Sequence, residues 1–327
     1  MTPREKGRKK TEKRGDARDR SGQGDGPRRV TPALLRRTPL PAPDGDGDKE
    51  SRGRVLVVGG STLVPGAVLL AGVAALRAGA GKLQLATVRD AAIPLGLAVP
   101  EALVAALPAA AGGELDGARA ADVLGDYAEG ADAVLVGPGM SDERAAGALL
   151  AALVPRLGER ATLVLDGPGV TALRERPELL RALGGRAVLT PHAGEMARAL
   201  GIDKGEVAAD PPAVARRAAA QFGAVVALKG ADTFIVEPNA GGDGGGACYH
   251  FGGGSVGLGT SGSGDTLSGI VAGLAARGAP AVTAAVWGVW AHGTAGERLA
   301  ERMATVGFLA RELLAEVPAL VGGGGRR

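Results

Sequence analysis

Short apolar runs recur through this chain. Each ends in a small or chemically active residue, and most are followed by an alanine- and leucine-rich stretch long enough for a helix. Val55-Leu56-Val57-Val58 runs into Gly59-Gly60, and Ala133-Val134-Leu135-Val136 into Gly137-Pro138-Gly139. Thr162-Leu163-Val164-Leu165 ends at Asp166, Ala187-Val188-Leu189-Thr190 at Pro191-His192, and Val225-Val226-Ala227-Leu228 at Lys229-Gly230. A continuous apolar run of that length suits a strand covered on both faces, and strands alternating with helices build crossover units. The pattern therefore predicts an α/β fold, a three-layer α/β/α arrangement with a mostly parallel central sheet. Leu83–Thr87 reads as a further strand and Phe234-Ile235-Val236 as an antiparallel edge strand. Helices are expected near residues 66–79, 141–157, 177–183, 213–222, 266–277, 282–301 and 305–316.

The core implied by this pattern is unusual in its side chains. Aromatic residues make up 2% of the chain against 56 glycines, so layers must close through Ala, Val and Leu. Helix faces so rich in small residues suit a symmetric homo-oligomer, a tetramer, and equally suit close packing inside one subunit.

The flanks differ in texture. The chain carries a formal charge of +3, yet residues 1–53 hold 15 Lys/Arg and 9 Asp/Glu, so the basic character belongs to the N-terminal stretch. Residues 1–29 interleave Glu12, Asp16 and Asp19 among the basic residues and lack aromatics for stacking on bases. They read as a disordered, solvated extension, with no nucleic-acid partner expected. Thr31-Pro32-Ala33-Leu34-Leu35 reads as a short capped helix. Residues 41–48 carry tandem Asp-Gly pairs without the bidentate Glu of a calcium loop, and read as a linker. One domain is expected over residues 30–320, with a flexible tail over 321–327 and a glycine-rich hairpin tip or loop over 240–246. A single cysteine, Cys248, permits no internal disulfide and no cysteine metal cluster, which points to a reducing, cytoplasmic setting. No signal peptide and no membrane partner are expected.

Functional groups on a parallel sheet gather beyond the carboxyl ends of its strands, and the five termini above form such a rim. The strongest element is Gly259-Thr-Ser-Gly-Ser-Gly-Asp265, which runs directly into an apolar helix. Its glycines let amides turn inward at a helix start, which suits an anion such as phosphate. It is no Walker loop, because Asp265 stands where that motif has lysine. A carboxylate there can accept a proton from a hydroxyl held beside the phosphate-binding amides. The plainer reading is that Asp265 caps its own helix. His192 reads as a substrate contact, Glu195 equally as a helix-start charge or a functional group, and His292 as a core histidine. Three histidines make a histidine metal cluster untenable. A dehydrogenase fingerprint fails too, since Thr87 rather than an acid ends the second strand.

Taken together, PHAGEMARAL (191–200), KGADT (229–233), GSGDTLSGIVAGLAARG (262–278), GPGM (137–140) and the stretch 59–87 resemble the ADP-dependent NAD(P)H-hydrate dehydratases, which are ribokinase-like. The resemblance covers about residues 30–318. It implies repair of hydrated NADH or NADPH: ADP phosphorylates the hydroxyl on the damaged ring, and loss of phosphate restores the double bond and leaves AMP. ADP is then the co-substrate, with Mg2+. Carried over by motif, Ala67, Gly139, His192 and Asp265 contact the hydrate, with Asp265 as base. Lys229, Gly230, Ala231, Asp232, Thr233 and Gly264 hold the nucleotide. The chain departs from the family at Gly167-Pro168-Gly169-Val170 and at Gly253-Gly254-Ser255-Val256-Gly257, which bears on substrate positioning. Two other readings stay open: an ATP-dependent kinase of a small hydroxylated metabolite (a thiamin precursor or sugar), and a nucleotide-binding or assembly protein without activity.

Overall fold

The computed structural model describes residues 26–42, 49–239 and 246–322. Its ten strands are β1 (Arg28–Arg29), β2 (Arg54–Val58), β3 (Lys82–Val88), β4 (Ala102–Leu107), β5 (Ala133–Val136), β6 (Thr162–Leu165), β7 (Ala187–Leu189), β8 (Val225–Leu228), β9 (Thr233–Val236) and β10 (Cys248–Phe251). They form one sheet in the order β1-β10-β9-β8-β7-β6-β5-β2-β3-β4. Strands β2 to β8 are mutually parallel; β9 runs against its two neighbours.

Successive side chains on a strand point to opposite faces, and here both faces are dry. Val55 and Val57 belong to one buried cluster, with the helices Gly66–Arg77, Ser263–Ala276, Ala281–Arg302 and Ala310–Val321. Leu56 and Val58 belong to the other, with the helices Gly117–Glu129, Glu143–Leu153, Ala193–Leu200 and Pro211–Phe222. This is the expected three-layer architecture. The small-residue faces are used inside the subunit: a Cβ at Gly269 would overlap the Ala71 carbonyl, and one at Gly273 the Ala75 carbonyl. The two helices thus approach backbone to backbone.

Several expectations need correction. The strand Phe234–Val236 is antiparallel but not at an edge, because β10 and β1 lie outside β9. Arg28–Arg29, placed in the disordered extension, pairs in parallel with Tyr249–His250, and Val30 N–H donates to the His250 carbonyl at 2.8 Å. The bare edge of β10 supplies the unpaired backbone groups that capture this segment. Val321, placed in the flexible tail, ends a helix and is buried. The helix expected over 305–316 runs instead over Ala310–Val321, where Leu313, Leu314, Val317 and Leu320 face the core. The region 177–183 shortens to a single 3-10 turn, Arg181–Leu183, bounded by Gly184 in the left-handed conformation. Strand β4 and the helices Arg89–Ala98 and Gly117–Glu129 were not anticipated. Ala102–Leu107 is alanine-rich, and only its pairing with β3 makes it a strand.

Thr31 caps the short helix Pro32–Arg37 as expected, accepting the Leu34 amide. Residues 1–25, 43–48, 240–245 and 323–327 lie outside the described residues, and with them most of the basic extension, the linker and the glycine-rich tip. Among the described residues no helix is long and apolar enough to cross a membrane.

Candidate active site

The carboxyl ends of β2 and β5 to β8 point to one rim, as parallel strands must. The direction in which successive strands are added across the sheet reverses between β2 and β5: β3 and β4 add on one side, β6 to β8 on the other. At that switch point the Gly60 amide donates to the Pro138 carbonyl at 2.7 Å. Gly139, at φ +68°, sits so close to the next helix that a Cβ would lie 2.8 Å from Ala67 Cβ. Ala67 and Gly139 are therefore in contact, at the start of the helix Gly66–Arg77. The same helix reaches the anion loop, since a Cβ at Gly262 would overlap Leu70.

That loop ends in Gly262 at φ +86°, a left-handed conformation open to glycine, and the helix Ser263–Ala276 begins at once with no side-chain cap. Asp265 therefore does not cap its own helix, which removes the plainer reading of its carboxylate. The Ser263 amide is taken by the Thr260 carbonyl at 3.2 Å. Among the described residues no acceptor reaches the amides of Gly264 and Asp265. These two N–H groups lie at the positive end of a 14-residue helix.

Below the loop stands a buried ion pair. Lys229 Nζ lies 2.9 Å from Asp166 Oδ1, and Thr190 Oγ1 donates to the same oxygen at 2.9 Å. A Cβ at Gly264 would lie 3.2 Å from Lys229 Nζ. Burial alone would lower the Lys229 pKa; Asp166, then Glu195 and Asp265, more than offset it, and the net shift is upward. The ammonium thus stays charged beneath the open amides. Asp265 is also shifted upward, which for an acid favours the neutral form: burial first, then the negative charge of Asp166, raises its carboxyl to about 6, with Lys229 opposing.

His192 caps the helix Ala193–Leu200 and is exposed on the rim. Its Nδ1 accepts the Gly194 and Glu195 amides at 3.0 and 3.1 Å, which places the neutral ring's proton on Nε2. Glu195 answers by accepting the His192 amide at 2.8 Å, and its other oxygen is 3.3 Å from His192 Nε2. Both readings of Glu195 meet here: it completes a capping box and fixes an exposed imidazole.

The expected nucleotide residues do not all converge. Lys229 and Gly264 are neighbours, whereas Gly230, Ala231 and Asp232 form the exposed turn into β9, which starts at Thr233. Asp232 turns to His250, 2.6 Å from its Nε2, and His250 stacks on Phe234 with centroids 5.0 Å apart. Sequence reasoning missed Thr190 and Ser263; neither hydroxyl carries a spacing signal. The reading of His292 as a satisfied core histidine holds, and its partner is Ser263, whose Oγ lies 2.9 Å from His292 Nε2. Of the two departing segments, Gly167 takes φ +51° before the short helix Pro168–Thr171 and leaves Asp166 in place. Gly254 is held by Glu297 at 2.8 Å. Among the described residues no group of three or more His, Cys, Asp or Glu is disposed to hold a metal ion.

The family model described as NAD(P)H-hydrate dehydratase matches residues 55–319. The chain is 52% identical over 295 residues to an ADP-dependent (S)-NAD(P)H-hydrate dehydratase of Xanthomonas campestris, covering 90% of this chain and 96% of that one. A ribokinase-like superfamily protein of Enterococcus faecalis superposes with a TM-score of 0.76 at 26% identity, covering 90% and 95% of the two chains. The ADP/ATP-dependent NAD(P)H-hydrate dehydratase of Bacillus subtilis, co-crystallised with ATP and Mg2+, superposes with a TM-score of 0.70 at 25% identity, covering 90% and 97%.

Proposed function

The chain belongs to the NAD(P)H-hydrate dehydratase family, and on that premise we propose that it uses ADP to dehydrate the S-form of hydrated NADH or NADPH, yielding NAD(P)H, AMP and phosphate. The observation that carries this reading is Asp265. Its partly buried carboxyl, raised to about 6, stands in the first turn of the helix whose Gly264 and Asp265 amides are open. A base works best when its pKa lies near the working pH.

In this reading Ala67, Gly139 and the exposed His192 border the hydrate, and the Nε2–H of His192 is the donor available to it. Asp265 takes the proton of the ring hydroxyl as that oxygen attacks the terminal phosphorus of ADP, and AMP leaves. The amides of Gly264 and Asp265 and the Lys229 ammonium lie where charge collects on the transferred phosphoryl group. The ring C–O bond of the phosphate ester then breaks, and phosphate leaves with its electron pair. It takes up the proton lost from the adjacent ring carbon, and the electrons of that C–H bond restore the double bond. The turn Gly230–Thr233 holds the rest of the nucleotide.

Magnesium fits as an ion carried by the phosphates, which needs only one or two protein carboxylates; Asp166 and Asp265 stand beside the loop. When bound, it neutralises charge on the phosphoryl oxygens. A homo-oligomer and a cytoplasmic setting belong to the same reading.

The test is recovery of absorbance at 340 nm from chemically hydrated NADH with ADP and Mg2+. Recovery with ADP supports the dehydratase. No recovery with ADP or ATP, together with phosphorylation of another alcohol, would return the function to the kinase reading.

A further inference from the structure

The helix Ala281–Arg302 lies behind the stretch from Phe251 to Ser263 and reaches it with two side chains. His292 Nε2 is 2.9 Å from Ser263 Oγ, and Glu297 Oε1 accepts the Gly254 amide at 2.8 Å. Where apolar residues of that stretch press on the helix, the helix is reduced to glycine. A Cβ at Gly293 would overlap the Phe251 ring, and one at Gly296 would lie 2.6 Å from Leu258 Cγ. Ser263 itself is buried and opens the catalytic helix, immediately before the two open amides of Gly264 and Asp265.

On the reading of this loop as a phosphate cradle, we propose that His292 is a positioning residue: through Ser263 it sets the direction in which the Gly264 and Asp265 amides point. It reaches the loop through Ser263 and is given no contact with the reacting atoms. Its ring is neutral over the working range, because removal from water, and then the Lys229 ammonium, lowers its pKa to about 4. A neutral imidazole and a serine hydroxyl can each donate to or accept from the other, so the bond survives whichever ring nitrogen holds the proton. A small rotation of Ser263 swings the next two amides with it, since they share one helical turn.

The test measures ADP affinity by calorimetry, and kcat and KM by recovery at 340 nm, for wild type, His292→Leu, His292→Gln, Ser263→Ala and the Leu/Ala double variant. Loss of the buried bond is expected to weaken ADP about tenfold in either His292→Leu or Ser263→Ala, with KM for the hydrate unchanged. The double variant should be no worse than either single one, because both remove the same contact. His292→Gln, whose amide can occupy the place of Nε2, should recover most of the loss. A histidine that merely fills space would lower the melting temperature in His292→Leu and leave the ADP affinity of Ser263→Ala untouched. ADP affinity within twofold of wild type in Ser263→Ala, or single effects that multiply in the double variant, overturns the proposal; Ser263→Ala decides alone if His292→Leu does not fold. A wild type that binds ADP but restores no absorbance sinks the dehydratase reading while the affinities still judge His292. A wild type that binds no adenine nucleotide sinks both.

Discussion

Lys229 Nζ and Asp166 Oδ1 lie 2.9 Å apart, although the residues are 63 positions apart in sequence and end different strands. Thr190, at the end of the strand between them, donates to the same oxygen. Three adjacent strand ends thus hold one charge pair beneath the anion loop. A desolvated pair is costly to break from one side, because the remaining charge keeps its desolvation cost without its partner. Lys229→Met should therefore destabilise the fold by about 3 kcal/mol. Lys229→Met with Asp166→Leu should cost clearly less than Lys229→Met alone. Urea melts of the single and double variants at neutral pH check this.

Asp265→Asn should lower kcat by about 10²–10⁴-fold, the usual worth of a general base. ADP affinity should stay within a few-fold, since the amides and Lys229 remain. Retained turnover, measured at 340 nm, would refute Asp265 as the base.

The same carboxyl predicts a pH dependence. An acid raised to about 6 is an effective base only above that value, so kcat/KM should climb through an acid limb centred near pH 6. Stability runs the opposite way. The folded state holds this proton more tightly than the unfolded chain does, so the contribution of Asp265 to stability is lost as pH rises from about 4 to 6. Asp265→Asn should therefore raise the melting temperature by a few degrees at pH 7.5 and leave it nearly unchanged at pH 4. A melting temperature that falls equally at both values would contradict the shift.

Gly269→Ala tests the close approach of the helices Gly66–Arg77 and Ser263–Ala276. In an exposed helix this change stabilises by roughly 1 kcal/mol. Here the new methyl overlaps the Ala71 carbonyl, and overpacking of a rigid backbone contact costs about 1–3 kcal/mol or more. The contact should decide the sign, and Gly269→Ala should lower the denaturation midpoint in urea.

His192→Ala removes a cap and an imidazole together. Loss of the cap should cost about 1 kcal/mol. His192→Asn keeps a capping acceptor and should restore most of that stability but not the KM for the hydrate. If stability and KM recover together, His192 serves its helix alone.

The sequence by itself determined most of the parallel strands at the centre of the sheet and the rim they form. Runs such as Val55–Val58 and Val225–Leu228 carry their own signal, because apolar continuity and length are local properties that parallel burial makes legible. The residue ending each run was legible for the same reason, and so was the departure of Asp265 from a Walker lysine. What the sequence could not determine was contact. The pairing of Arg28–Arg29 with Tyr249–His250 needs an open edge that exists only once β10 has folded. Strand β4 is alanine-rich and becomes a strand only beside β3. His292 and Ser263 are 29 residues apart, on consecutive helices, and nothing in their spacing joins them. The raised pKa of Asp265 likewise depends on burial and on Asp166, 99 positions away in the chain. Period and composition act along the chain. Desolvation and hydrogen bonding act through space, and the tertiary structure decided them.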